Sequence, residues 1–228
     1  MKDERLWQTF SRLVETVWAD HAKRGALGGA HNPLHASMVA QYGVLISGSP
    51  WLRRCSFVAG ICHNVDRIYR EDKALVAKIV SGYLETASTL LSLRERILIL
   101  KAVLEHSKKN DPNDNLVTVA LKDADRLANL GPLHWIRAGQ FRPNIPPVDP
   151  RFITDSDPTA TFRDPKSVLQ DIKNTLEWES WLRLPKAKEL GKPMFDEIRR
   201  FIANVEQQFE TLGLLPFPEE LVVENPEN

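Results

Sequence analysis

Net charge is the first thing this chain lacks. Lys plus Arg and Asp plus Glu number 30 each, so no overall field draws in nucleic acid and no DNA partner is expected. Long apolar runs are missing too. No stretch of about 18 apolar residues occurs, which excludes a spanning helix and a membrane partner. The opening Met1-Lys-Asp-Glu-Arg5 leads into an amphipathic pattern with no signal-type apolar core. Cysteine is nearly absent: only Cys55 and Cys62 occur. On one helix they stand two turns apart, about 10 Å of rise, which is too far for a disulfide. Two buried thiols fit a reducing cytoplasm, the expected location. Alternating runs between turn signals, the mark of strands, are not found either.

What is present reads as helix. The 228 residues are 43% hydrophobic and 26% charged, ordinary soluble usage and enough to bury a core. Leu6, Trp7, Phe10, Leu13, Val14, Val17 and Trp18 recur at three- and four-residue steps, predicting a first amphipathic helix. Asn32-Pro33, Ser49-Pro50, Asp111-Pro112 and Asp164-Pro165 each set a capping side chain before a proline suited to a first helical position. Ser92-Leu-Arg-Glu95 is a capping box for a helix to about His106. Phe195, Ile198, Phe201, Ile202, Val205, Phe209 and Leu212 form a late apolar stripe closed by Gly213. Six prolines between Pro132 and Pro158 break the helical texture over 131–164, making that stretch a lid or a packed connector. The expectation is an all-α, single-domain helical bundle over 1–228. Its core spans 25–131, a proline-rich connector or lid 132–164, and C-terminal helices 165–212.

Three polar groupings interrupt this pattern. His35 falls in the first turn of the helix opened by Asn32-Pro33, where the positive end of the dipole favours the neutral, metal-binding imidazole. His63-Asn64-Val-Asp66-Arg67 ends a segment, Trp51 to Cys62, that is apolar almost all round. Polar groups there cost energy unless paired or binding something, and the bland reading is a helix emerging into solvent. In Asp123-Ala-Asp125-Arg126 the aspartates lie about 200° apart on a helix, so only one can enter a shared site. The bland reading here is a solvated face. His106 precedes Ser107-Lys108-Lys109 at a helix end, a place where histidines are common without a role.

Together, His31-Asn-Pro-Leu-His35-Ala-Ser-Met-Val39, Ile61-Cys-His63-Asn64-Val, Leu104-Glu-His106-Ser and Leu121-Lys-Asp-Ala-Asp125-Arg-Leu resemble, in order and spacing, the HD-domain metal-dependent phosphohydrolases. The resemblance covers roughly residues 25–131, and the tail from Trp178 to Leu212 looks weakly like that of small bacterial members that cleave nucleotides. It implies a helical bundle holding a divalent metal (Mn, Co, Ni, Fe, Zn or Mg). The ligand positions fall on His35, His63, Asn64 and Asp125. It further implies phosphate contacts near His106 and at Arg126, a small phosphate substrate such as a nucleotide, and leaves a homodimer open. A related chain that has lost catalysis and keeps its pocket for a nucleotide or partner is the alternative.

The chain departs from the family pattern in three places. The doublet is His63-Asn64 instead of His-Asp, the earlier pair is His31-Asn32 where the closest relatives carry His-Asp, and their arginine is Met38 here. Asn64 leaves one negative charge against two positive, and its amide oxygen suits hard ions better than zinc or iron. Asp66, one turn beyond His63 on the same side, could substitute as a carboxylate ligand. If metal binds, a water it activates would attack phosphorus. Asp123, Asp66 or His106 would assist, and Arg126, Lys108 or Lys109 would neutralise phosphate charge. His134 and Trp135 could stack on a base, though a Trp there is more often core.

Overall fold

The computed structural model describes residues 4–25, 32–69 and 72–218; its regular elements are all helical, with no strand among the described residues. His31 lies outside them. The helices are α1 (Glu4–Thr9), α2 (Ser11–Lys23), α3 (Pro33–Ile46), α4 (Pro50–Cys62), α5 (Val65–Ile68) and α6 (Lys73–Glu85). They continue with α7 (Leu93–Glu105), α8 (Leu116–Ala128), α9 (Pro132–Phe141), α10 (Val168–Asn174), α11 (Trp178–Trp181) and α12 (Pro185–Thr211). The first predicted helix is two: α1 and α2 are separated at Phe10, whose φ of −105° and ψ of 21° leave the helical range.

Several predicted start signals operate as read. Asn32 and Ser49 accept hydrogen bonds from His35 N and Leu52 N, with Pro33 and Pro50 at the opening positions. Ser92 and Glu95 form the full reciprocal capping box. The other two proline pairs do not start helices. Asp111 accepts from Asn113 N in a tight turn, and α8 is capped by Asn115, which accepts from Val117 N and Thr118 N. After Asp164-Pro165, Lys166 takes a φ of 66°, which a helix cannot continue through, so Ser167 caps α10 instead.

The chain forms two compact units, Met1–Asn129 with Trp181–Gly191, and Leu130–Ser180 with Lys192–Asn228. In the first, α3 packs against α4 and α8, and α7 packs against α4 and α8. The crossing of α3 over α4 is close because Gly60 has no side chain: a Cβ there would lie 2.6 Å from Ala40 backbone. Val39, Ala40, Phe57, Val58, Ile61, Ile99, Leu121 and Ala124 fill the centre. Cys55 and Cys62 are buried free thiols. Desolvation pushes both up to about 12, so they are inert.

In the second unit, the proline-rich stretch opens with a helix that proline counting missed. Gly131 (φ 75°) turns the chain and Pro132 sits at the start of α9, where a proline costs nothing. The rest is irregular but held. Lys173 donates to the carbonyls of Phe152, Ile153 and Asp155, and Ile153 is buried. Trp135 stacks on Phe201 with centroids 4.3 Å apart, and His134 is buried. Both belong to the packing of this unit.

Candidate metal centre

Three helices of the first unit bring polar side chains to one place. The Asn32 cap and Pro33 put His35 in the first turn of α3. His63 ends α4, and Asp125 lies on α8. One ligand atom from each of His35, His63 and Asp125 lies within 4.8 Å of the others. His35 Nε2 is 3.1 Å and His63 Nε2 is 3.9 Å from the same Asp125 Oδ1.

The tautomer of His63 is set by its backbone. Its Nδ1 donates to the Gly60 carbonyl at 2.7 Å, so in the neutral ring Nε2 is a lone pair. Desolvation holds His63 well below the usual histidine range, outweighing the pull of Asp125, so the ring is neutral. Its Nε2 is buried and has no hydrogen-bond partner. A lone pair thus faces a carboxylate with no proton between them. Burial would raise the Asp125 carboxyl, but the hydrogen bond from His35 and the potential of the nearby imidazoles hold it far below the carboxylate range. Two acceptors in that relation call for a cation, and the donor set of two imidazoles and one carboxylate fits a divalent transition metal.

Asn64 follows His63 directly in the chain. It is fully buried, its Nδ2 donates to the Asn32 carbonyl at 3.3 Å, and its Oδ1 has no partner. His106 repeats the His63 device one helix over. Its Nδ1 donates to Val103 O at 2.7 Å, and its Nε2 lies 3.8 Å from Asp66 Oδ2. The His63 and His106 rings are 5.3 Å apart, edge to face. Asp66 therefore faces His106 and does not join the His35, His63 and Asp125 group as a substitute ligand. Its Oδ1 is buried without a hydrogen bond.

Other expected residues lie elsewhere. Asp123, proposed from sequence as a catalytic carboxylate, is turned to the opposite side of α8. Its Oδ2 accepts from Arg183 N at 2.9 Å and Leu184 N at 2.8 Å. Arg126, expected on phosphate, pairs with Asp123 at 3.4 Å and donates to Trp181 O and Asn110 Oδ1. Both are occupied in fastening the 181–184 segment to α8, which corrects those two expectations. Lys108 pairs with Glu105, and Lys109 is exposed, its carbonyl taken by the buried Lys122. Sequence reasoning missed Asn129, whose Nδ2 donates to Asp125 Oδ1 at 3.0 Å. The signal was present as an amide four residues after the aspartate on the same helix face.

No protein-family model and no curated protein matches the chain. Solved structures do. A HD-superfamily hydrolase from Bacillus thuringiensis is 18% identical with a TM-score of 0.63, over 92% of this chain and 99% of that one. A Lactobacillus plantarum protein is 15% identical with a TM-score of 0.66, over 90% of this chain and 98% of that one. The chain shares the all-helical fold of these two structures. At these identities the likeness is one of architecture, so the roles of individual side chains rest on the geometry above. Among the described residues, His35, His63 and Asp125 are the group that could hold a metal ion.

Proposed function

We propose that the protein is a metal-dependent phosphohydrolase acting on a nucleotide or another small phosphate ester. The observation that carries this is the buried His63 Nε2 lone pair aimed at the Asp125 carboxylate, with His35 on the same oxygen. His35, His63 and Asp125 would hold a divalent ion, and the buried, unpartnered Asn64 Oδ1 is a candidate fourth ligand. Such an ion, when bound, acidifies a water and polarises a phosphoryl oxygen.

The remaining roles belong to the chain. Asn129 orients the Asp125 carboxylate. His106, fixed as an Nε2 acceptor and facing Asp66, takes up a proton during attack and returns it to the departing oxygen. Lys108 and Lys109, just past His106 on an exposed turn, supply positive charge for phosphate. The His35 Nε2 proton that bridges to Asp125 must move to Nδ1 or leave before that nitrogen can ligate.

One observation favours a second reading. The group holds a single carboxylate, because position 64 is an amide. A protein that binds a nucleotide without cleaving it would keep the same geometry. The experiment is metal analysis of freshly purified protein, then a nucleotide and phosphate-ester panel with added manganese, cobalt, nickel or magnesium. Bound metal with turnover supports hydrolysis. Bound metal with ligand binding and no turnover supports the second reading, and neither metal nor turnover with any ion overturns both.

A further inference from the structure

Asn64 is held as an amide by its surroundings. It is fully buried, its Nδ2 donates to the carbonyl of Asn32, and its Oδ1 is unpartnered. The flipped amide would set Oδ1 against the Asn32 carbonyl, two acceptors in contact, so one orientation is favoured. A carboxylate at this position would meet the same carbonyl with an anionic oxygen and no donor. The main chain that caps α3, and so places His35, is thus matched to an amide at 64.

This has an electrostatic consequence. With two neutral imidazoles, one carboxylate and one amide, a divalent ion keeps one uncompensated positive charge. In a buried site that charge is weakly screened. We propose that Asn64 is a specificity-determining residue that makes this a centre for doubly charged phosphate, favouring a terminal phosphate group over singly charged diesters. Coulombic attraction to a site of net charge +1 is about twice as strong for a dianion as for a monoanion, whereas a second carboxylate from the protein would bring the site to neutrality and remove that difference. This inference rests on the metal-binding reading given above.

The test compares wild type with Asn64→Asp, both loaded with Mn²⁺, by equilibrium dialysis for the metal and calorimetric titration of inorganic phosphate at mildly alkaline pH. The variant should bind Mn²⁺ at least about tenfold more tightly and phosphate at least about tenfold more weakly, opposite signs that a structural role would not produce. Its metal-free form should melt several degrees lower, because a buried carboxylate lacks a donor there. A second measurement needs no variant. Wild type should prefer inorganic phosphate to dimethyl phosphate, a monoanion, by about tenfold or more. Equal affinities for the two phosphates, or unchanged phosphate affinity in a Mn²⁺-loaded variant, overturn this proposal and leave the metal reading standing. Wild type that binds no Mn²⁺ overturns both.

Discussion

His63 and His106 each give their Nδ1 proton to the carbonyl three residues back, Gly60 and Val103, both at 2.7 Å. Those bonds aim the two Nε2 atoms at two carboxylates, Asp125 at 3.9 Å and Asp66 at 3.8 Å. Among the described residues, only the first pair has a third metal-competent side chain, His35, on the same oxygen. The two carboxylates should therefore separate in experiment. Asp125→Asn should lose most of its bound metal on dialysis. Asp66→Ala should keep wild-type metal content while turnover falls by about a hundredfold, the usual worth of a positioned proton-transfer group. Metal loss in Asp66→Ala would make it a ligand and return the sequence-based suggestion. Some of this was legible in advance. The 200° offset of Asp123 and Asp125 told that only one could enter the site, and the buried end of α4 marked His63. The hydrogen bonds of Asp123 and Arg126 to residues 181–184 were not legible, because partners some 60 residues away leave no local trace.

At the scale of elements, the site depends on how closely α3 crosses α4. Small residues permit the approach: Gly60 lies against Ala40, and Gly43 against Ser56. Gly60 also supplies the carbonyl that orients His63. In Gly60→Ala the new Cβ would stand 2.6 Å from backbone atoms of Ala40, which cannot swing aside as a side chain would. The helix-propensity gain of about 1 kcal/mol is outweighed by overpacking of about 1–3 kcal/mol or more. Thermal denaturation should show a loss of about 2–8 °C, and metal affinity should fall with it. Gly82→Ala is the control. It sits on α6 with nothing within 4 Å, so it should be neutral or stabilising. A Gly60→Ala protein as stable as wild type would mean the crossing is looser than described. Capping signals predicted α3, α4 and α7 well, since Asn32, Ser49 and Ser92 act on amides within three residues. They failed at Asp111, whose side chain closes a turn on Asn113 N, and at Asp164, whose carboxylate pairs with Lys166 while its N–H donates to Thr161 Oγ1.

The molecule as a whole hides several histidines that a neutral chain could have left at its surface. His21, His63 and His134 are all buried. Desolvation lowers each of them, His134 to about 4. Both ring nitrogens of His21 and the Nε2 of His134 lack hydrogen-bond partners, so protonation gains no compensating bond. The sign follows from linkage. A histidine whose folded pKa lies below the unfolded value of about 6.5 binds its proton more readily when unfolded. Stability is then flat above about pH 7 and falls as pH drops from about 6.5 toward the folded value. For His134 alone the loss approaches about 3 kcal/mol by pH 4. Carboxylates held low by their partners, such as Asp20 and Glu95, act further down, and their contribution is lost only below about pH 4. Melting curves of chelator-treated protein should therefore be constant from pH 8 to 7 and decline steadily from pH 6.5 to 4.5. His134→Phe should flatten part of that slope by removing one titrating group from an apolar setting. A melting temperature unchanged down to pH 5 would mean that these imidazoles find partners on protonation, through local opening that admits water.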